Sequence, residues 1–206
     1  DNVKKTFSPG TVNEKRALKN ITFHMEPSDF VTVIGGNGAG KSTMLNAIAG
    51  IFKVDTGTIM INDADVTKLP EHKRAVYIGR VFQDTRMGTA SDMTIEENMA
   101  MALRRGKARG LRKGITKAER NLFRERLAIL DLGLENRMTA KTGLLSGGQR
   151  QALTLLMATM TKPELLLLDE HTAALDPKTA KKVLELTNQI ITEDKLTALM
   201  ITHNMQ

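Results

Sequence analysis

The sequence contains no cysteine and no tryptophan, and aromatic residues make up only 3% of its 206 positions. The absence of cysteine excludes disulfides and is typical of a protein that works in a reducing cytosol. No apolar run in the sequence approaches the roughly 18 residues that a membrane-spanning helix needs, and no signal peptide is recognisable. We therefore expect any link to a membrane to be made through a partner protein.

The two ends of the sequence differ from those of most complete proteins. The chain begins at Asp1 rather than at a methionine, and it stops three residues beyond His203. We therefore expect both ends to be cut and the natural protein to continue beyond the C-terminus.

Positive charge is concentrated in one part of the chain, whose net charge as a whole is +7. Residues 100–127 carry +8, with only Glu119 and Glu125 as acidic residues. The ten basic residues of this basic segment are Arg104, Arg105, Lys107, Arg109, Arg112, Lys113, Lys117, Arg120, Arg124 and Arg126. The segment is either a solvated helical face or a surface for nucleic acid, anionic lipid or an acidic protein. No aromatic-rich RNA-binding pattern and no zinc-ligand spacing accompany it, so nucleic acid is not expected as a partner.

The first third of the chain has the pattern of a β-rich region that leads into a strand, a loop and a helix. Val3–Phe7, residues 17–25 and residues 58–61 carry alternating or β-branched patterns with turn residues between them. Phe30–Ile34 is a short apolar run that enters a glycine-rich segment. Residues 42–49 then favour a helix that Gly50 ends.

The last third of the chain alternates buried strands with helices. Residues 165–168 and 198–201 are continuous apolar runs, typical of strands that are covered on both faces. Residues 148–160 and 177–192 have helical patterns, so a wound α/β sheet is predicted, with its ligand at the carboxyl edge of the strands. Residues 85–142 are helix-like and basic, and we interpret them as a helical subdomain inserted between the core segments 1–84 and 143–206.

The glycine-rich segment is the first candidate site. Residues 35–42, which we call the glycine loop, fit the pattern G-x-x-x-x-G-K-[ST] without a mismatch. Backbone N–H groups at a helix N-terminus can cradle a triphosphate, and Gly35, Gly38 and Gly40 allow the backbone to approach it closely. Lys41 supplies a positive charge to the β- and γ-phosphates, and Ser42 offers a hydroxyl to Mg²⁺. The alternative is an ordinary glycine turn before a helix.

The segment 145–149, Leu-Ser-Gly-Gly-Gln, lies far downstream of this loop and narrows the interpretation. It resembles the signature of ABC-type ATPases, and we call it the signature segment. The resemblance implies an α/β fold: a P-loop NTPase (RecA-like) core with an N-terminal antiparallel β subdomain and an inserted α-helical subdomain. It also implies a homodimer closed by ATP, because the signature of one family member covers the nucleotide held by the other. The alternative is a well-capped helix with Ser146 as its N-cap.

Further motifs occur in the order typical of the same family. Residues 165–170 resemble a Walker B motif, in which Asp169 would serve Mg²⁺ and Glu170 would act as general base on the attacking water. Gln83, at the end of a strand predicted over 75–82, matches the family's Q-loop. His203, just after the strand that ends at Ile201, matches the switch histidine. As alternatives, Asp169 and Glu170 could be solvated acids, and Gln83 and His203 could be structural residues.

Two more residues are candidates, and two positions depart from the family pattern. Asp176 before Pro177 predicts a helix start and matches the family's D-loop at the dimer interface. Phe7, 28 residues before Gly35, is placed where the family has an aromatic ring stacked on adenine; the alternative is a core phenylalanine. His171 and Ala174 stand where proline and serine are common, and we expect activity to survive both departures.

The predicted site therefore comprises three groups of residues. The predicted nucleotide contacts are Phe7, Gly35, Asn37, Gly38, Ala39, Gly40, Lys41, Ser42, Thr43, Ser146, Gly147, Gly148, Gln149 and Asp176. The predicted catalytic residues are Lys41, Gln83, Glu170 and His203. The predicted Mg²⁺ ligands are Ser42, Gln83 and Asp169.

The resemblance implies an ATP-hydrolysing subunit of an ABC transporter, with ATP and Mg²⁺ as cofactors and an importer-like partnership. We expect it at the cytoplasmic face of the cell membrane, held there by permease subunits that dock near residues 85–94, with an extracytoplasmic substrate-binding protein in the full system. One alternative is a soluble ABC ATPase that acts on DNA or ribosomes. Another is a regulatory module that binds ATP without turnover. The presence of Lys41, Asp169, Glu170 and His203 argues against this second alternative.

Overall fold

A central parallel sheet organises the computed structural model, which describes residues 1–107 and 114–202. The sheet consists of β3 (Phe30–Ile34), β8 (Ala198–Thr202), β7 (Leu165–Asp169) and β6 (Ile78–Val81), in that spatial order. All neighbours in it are paired in parallel, so the four carboxyl ends meet at one edge. The predicted α/β class is confirmed.

Strands β7 and β8 of this sheet are covered on both faces, as their apolar sequences indicate, whereas β3 is exposed on one face at Phe30 and Ile34. Leu166 and Leu168 of β7 point into a core shared with the helices of the C-terminal half. Leu167, between them, points into a second core shared with the N-terminal β-region and the first helix. This alternation follows from the two-residue period of a strand, which sends successive side chains to opposite faces.

The N-terminal region forms two short antiparallel pairs. The first joins β1 (Val3–Phe7) to β2 (Lys15–Ile21), and the second joins β4 (Met60–Ile61) to β5 (Ala64–Asp65). The second strand was predicted over 17–25 but begins and ends earlier, because β1 reaches far enough for Phe7 to pair with Lys15. Pairing with the neighbouring strand, and not the apolar pattern, sets these ends.

Helix α1 (Lys41–Ala49) begins directly at the end of the glycine loop. It is bounded by Gly40 and Gly50, both in the left-handed region with φ of 92° and 81°. Strand β2 passes so close that a Cβ on Gly40 would lie 2.8 Å from the Ala17 carbonyl oxygen. Glycine is therefore required at residue 40 by both conformation and space.

A short helix, α2 (Glu71–Arg74), precedes β6 and shortens it. The prediction of a strand over 75–82 was too long, because residues 75–77 still form turn bonds to α2. The buried guanidinium of Arg74 donates to the carbonyls of Ala47 and Ile48, which ties α2 to the last turn of α1.

The helical region contains α3 (Ile95–Leu103) and α4 (Lys117–Ala128), followed by short 3₁₀ turns at Leu134–Asn136 and Thr142–Leu144. Both helices begin with reciprocal capping boxes, formed by Thr94 with Glu97 and by Thr116 with Glu119. They pack on α5 (Gly147–Thr159), which lies beside α6 (Pro177–Asp194).

Part of the basic segment serves the structure of the helical region. Arg104 pairs with Glu119 at 2.8 Å, and Arg120 pairs with Glu96 at 2.7 Å. Arg105 donates to the carbonyls of Ile78 and Met157, and burial lowers its pKa. Three other members of the segment, Arg109, Arg112 and Lys113, lie outside the described residues. Among the residues described here, no helix is both long and apolar enough to span a membrane.

Candidate functional site

The candidate site lies at the edge where the parallel strands end. Strand β3 leads into the glycine loop, β6 is followed by Phe82 and Gln83, and β7 ends at Asp169 with Glu170 next. The parallel topology therefore brings together motifs that are far apart in the sequence.

A single cavity of about 950 Å³ joins most of the predicted catalytic residues. Its walls include the whole glycine loop together with Gln83 and Glu170. The lining residues are Lys15, Ala17, Ile34, Gly35, Gly36, Asn37, Gly38, Ala39, Gly40, Lys41, Ser42, Thr43, Gln83, Glu170 and Ala173. A triphosphate placed against the loop would therefore have an amide and a carboxylate within the same cavity.

The glycine loop is held in a curled conformation by its own lysine. Lys41 Nζ donates to the carbonyl oxygens of Gly35 at 2.6 Å and Gly36 at 3.1 Å. Gly38 has a positive φ of 80°, which lets the loop turn back on itself before α1. Ser42, at the start of the helix, is exposed. The N-terminus of α1 thus presents N–H groups and a hydroxyl to the cavity, which is the chemistry that binds phosphate.

Glu170 has a strained backbone at the end of the sheet. Its φ is 46°, in the left-handed region that costs roughly 1–3 kcal/mol for a residue with a side chain. The conformation is held by two bonds: its N–H donates to the Ile201 carbonyl at 3.1 Å, and its own carbonyl accepts from the Ala173 N–H at 2.9 Å. Eight other described non-glycine residues share a positive φ, so this conformation fixes where the Glu170 side chain leaves the backbone but does not by itself mark a catalytic position.

Asp169 ends β7 next to Glu170 and is not among the residues that line the cavity. Its Oδ2 is 3.4 Å from Nη2 of Arg80, and the two side chains are 15% and 13% exposed. Arg80 Nη2 also donates to Asn46 Oδ1 at 2.7 Å. Sequence reasoning missed Arg80, although an arginine inside an otherwise apolar strand is a signal, because a buried charge needs partners.

The signature segment forms the N-terminus of α5 in the predicted way. The Gln149 N–H donates to Ser146 Oγ at 3.2 Å, and the Ser146 N–H donates to Gln149 Oε1 at 3.1 Å. Gly147 is exposed, whereas Gly148 is buried, and a Cβ on Gly148 would overlap the methyl group of Thr179 on α6. None of these residues lines the glycine-loop cavity of the same chain.

A buried glutamine links the signature helix to the catalytic edge. Gln151 is fully buried, and its Nε2 donates to the carbonyls of Phe82 at 2.9 Å and His171 at 2.7 Å. Phe82 immediately precedes Gln83, and His171 immediately follows Glu170. The apolar positions around Gln151 on α5 are the sequence signal that this polar side chain has buried partners.

Phe7, Asp176 and His203 are three other predicted site residues, of which Phe7 and Asp176 do not line the glycine-loop cavity. Phe7 is half-buried, packs edge-to-face on Phe52 at a centroid distance of 5.2 Å, and is not among the cavity-lining residues. Asp176 caps α6 as predicted, since its Oδ1 accepts from the Thr179 N–H at 3.1 Å; its hydrogen bonds with Thr179 lower its pKa. His203 lies outside the described residues.

The histidine at residue 171, where proline is common in the family, has a structural explanation. The ring is 2% exposed, its Nε2 lies 3.1 Å from Thr187 Oγ1 on α6, and burial lowers its pKa to about 4. His171 is therefore neutral at physiological pH and joins β7 to α6 without adding charge beside Glu170.

The oxygen donors at the edge fit a hard divalent cation. The Ser42 hydroxyl, the Gln83 amide oxygen and the Asp169 carboxylate are the ligand types that Mg²⁺ uses. No group of three or more His, Cys, Asp or Glu residues able to hold a metal is found in the part of the chain that the structure describes. Mg²⁺ sites in proteins commonly use one or two carboxylates together with phosphate oxygens and water.

Comparisons with known proteins agree with this geometry. The ABC transporter family matches residues 18–173. The chain is 43% identical over 206 residues to a tyrosine transport ATP-binding protein of Clostridioides difficile (strain R20291), covering 100% of this chain and 81% of the relative. It is 36% identical over 195 residues to the ABC transporter ATP-binding protein YxdL of Bacillus subtilis (strain 168), covering 92% and 71%.

A solved structure matches over nearly the whole fold. It is the dimeric post-hydrolysis state of the ATP-binding cassette MJ0796 bound to ADP and Pi, with a TM-score of 0.82 and 33% sequence identity. The match covers 99% of this chain and 87% of the other.

Proposed function

The chain belongs to the ABC transporter family as an ATP-binding subunit with ATPase activity, and from this premise we propose that two copies close around ATP and Mg²⁺ to power uptake through a separate permease. One observation carries the proposal: the glycine loop, Gln83 and Glu170 share a cavity that the chain's own signature segment does not line. A second copy is then needed to supply that segment.

In this proposal the nucleotide binds first to the glycine loop. The N–H groups at the start of α1 receive the phosphates, and Lys41 exchanges its bonds to the Gly35 and Gly36 carbonyls for phosphate oxygens. The Phe7 ring stacks on the adenine. Asn37, Ala39 and Thr43 complete the contacts along the loop.

The metal site is proposed to lie between the loop and the sheet edge. Ser42, Gln83 and Asp169 would hold Mg²⁺, which when bound would supply positive charge to the β- and γ-phosphates. Glu170 orients the attacking water and accepts its proton, a role that its place in the glycine-loop cavity supports. His203 is proposed to contact the γ-phosphate.

The second half of the site is proposed to come from a partner copy. Ser146 and Gly147 are exposed at the N-terminus of α5, where the helix dipole and the first N–H groups favour an anion. The γ-phosphate held by the other copy would lie there, with Gly148 and Gln149 shaping the helix start and Asp176 at the interface. ATP favours the closed dimer because it makes these contacts only in that state.

The permease is proposed to dock on the segment that follows Gln83. Met87 in this segment is 65% exposed, an uncommon position for a large apolar side chain without a partner. Residues 85–94 also lead directly from the cavity to α3. The helical subdomain (residues 85–142) would thereby transmit closure to a permease at the cytoplasmic face of the membrane, with an extracytoplasmic protein delivering the substrate.

The test of this proposal is the molecular mass of the Glu170→Gln protein in solution with and without ATP–Mg²⁺, measured on the full-length natural chain. We expect ATP to double the mass, because binding is retained while hydrolysis is slowed. The matched control adds Ser146→Arg, which should abolish the doubling and leave ATP binding to the monomer intact. A monomer in all conditions, despite confirmed ATP binding, would contradict the shared-site proposal.

A further inference from the structure

Arg80 is a largely buried charged residue in β6, the last strand in the order of the parallel sheet. It lies in β6 between the buried residues Gly79 and Val81, and its side chain is only 13% exposed. Burying a guanidinium costs several kcal/mol unless hydrogen bonds and opposite charge offset the loss of hydration. The groups that it contacts therefore indicate why this sequence carries an arginine here.

Three contacts of Arg80 lead to the three proposed Mg²⁺ ligands. Nη2 donates to Asn46 Oδ1 at 2.7 Å, and Asn46 lies one helical turn after Ser42 on the same face of α1. Nη2 also donates to Asp169 Oδ2 at 3.4 Å. The guanidinium lies over the Phe82 ring, 4.7 Å from its centroid, and Phe82 immediately precedes Gln83.

We propose that Arg80 is a positioning residue for the Mg²⁺ site. Its contacts hold Ser42, Gln83 and Asp169 in fixed positions relative to one another. The inference rests on the proposed function, since it assumes that these three residues bind the metal. Arg80 donates to Oδ2 of Asp169, and in this proposal the carboxylate binds the metal through Oδ1. The guanidinium is planar and rigid, so its bonds to α1 and β7 and its stacking on Phe82 fix their relative positions.

Geometry and charge predict opposite effects of removing Arg80. A positioning role predicts weaker metal binding, because residues that orient metal ligands are typically worth about 10–100-fold in affinity. A role as a competing positive charge predicts tighter metal binding instead, since like charges repel across a short distance in a partly buried site. A measured metal affinity therefore separates the two.

The experiment uses Mn²⁺ as the probe on the full-length protein. The protein is kept in excess over a non-hydrolysable ATP analogue, and free Mn²⁺ is measured by electron paramagnetic resonance during a titration. We expect Arg80→Met to raise the Mn²⁺ dissociation constant by about 10–100-fold. Arg80→Lys should raise it by less, because lysine keeps the charge but lacks the planar fork.

The matched control is Arg105→Met. Arg105 is another partly buried arginine; its hydrogen bonds go to the backbone carbonyls of Ile78 and Met157, whereas those of Arg80 go to the side chains of Asn46 and Asp169. We expect it to lower thermal stability and to leave the Mn²⁺ dissociation constant unchanged. If Arg80→Met does not fold, Arg80→Lys carries the test alone.

Two further variants separate failure of this inference from failure of the proposed function. Ser42→Ala and Asp169→Asn should each weaken Mn²⁺ binding if they are ligands. If they do and the Arg80 variants bind Mn²⁺ as the wild type does, or more tightly, the positioning role is overturned. If neither ligand variant changes the dissociation constant, the proposed metal site itself is wrong.

Discussion

The bond pattern of Gln151 predicts that one buried amide controls both structure and turnover. Its Nε2 donates to the carbonyl oxygen of Phe82, which precedes Gln83, and to that of His171, which follows Glu170. Its own Oε1 is buried without a hydrogen-bond partner. Gln151→Met keeps the length of the side chain and removes both donors. The variant should therefore leave both the Phe82 and the His171 carbonyl without the hydrogen bond that Gln151 donates.

The expected size of the effect follows from these two bonds. Each buried carbonyl that loses its donor costs about 1–3 kcal/mol, and removing the unsatisfied Oε1 returns part of this. We therefore expect the free energy of unfolding to fall by about 1–4 kcal/mol. Release of the two carbonyls also lets Gln83 and Glu170 shift, and a displacement of about 1 Å at a catalytic group costs about 10²-fold in rate.

The assay compares denaturant unfolding with steady-state ATPase kinetics in the full-length protein. Gln151→Met should lower kcat by about 10–100-fold with little change in ATP affinity, because Gln151 is not among the residues that line the glycine-loop cavity. The control is Thr159→Val on the same helix, whose buried hydroxyl bonds only to the carbonyls of Leu155 and Leu156. It should leave kcat unchanged. A Gln151→Met protein that is destabilised but turns over ATP at the wild-type rate would refute the reasoning.

Three further predictions concern the proposed nucleotide site. Glu170→Gln should retain ATP binding and lose about 10²–10⁴-fold in hydrolysis, the usual contribution of a positioned base; unchanged turnover would remove it from the mechanism. Phe7→Ala should weaken ATP binding measured by calorimetry by about 1–3 kcal/mol if the ring stacks on the base, whereas unaltered affinity would leave Phe7 as the partner of Phe52 only. Ser146→Arg should abolish hydrolysis in a phosphate-release assay while the monomer still binds ATP, and normal activity would contradict a shared site.

The local parts of the fold could be predicted from the sequence because short-range chemistry determines them. The helix starts at Ser146 and Asp176 are encoded by side chains that satisfy N–H groups three residues later. The buried strands β7 and β8 were recognised within one residue, because a sheet covered on both faces needs continuous apolar runs. The glycine loop required no tertiary information, since its glycines and lysine act within eight residues.

The β-region and the arginine of β6 could not be predicted in the same way. Strand β2 begins at two basic residues, Lys15 and Arg16, which enter the ladder because β1 lies beside them. Nothing local in the segment 78–81 identifies the partners of Arg80, which are 34 and 89 residues away. Such pairings depend on where distant elements pack.

The sequence by itself identified the candidates for the chemistry: a glycine loop before a helix, a carboxylate pair after a buried strand, and a capped helix whose N-terminus favours an anion. Only the tertiary structure decided which of them meet. The parallel order of β3, β8, β7 and β6 brings Gln83 and Glu170 into the cavity of the glycine loop and leaves the signature segment outside it. The physical reason is that caps and turns are satisfied within a few residues, whereas buried polar groups such as Gln151 find their partners only when the sheet and helices have packed.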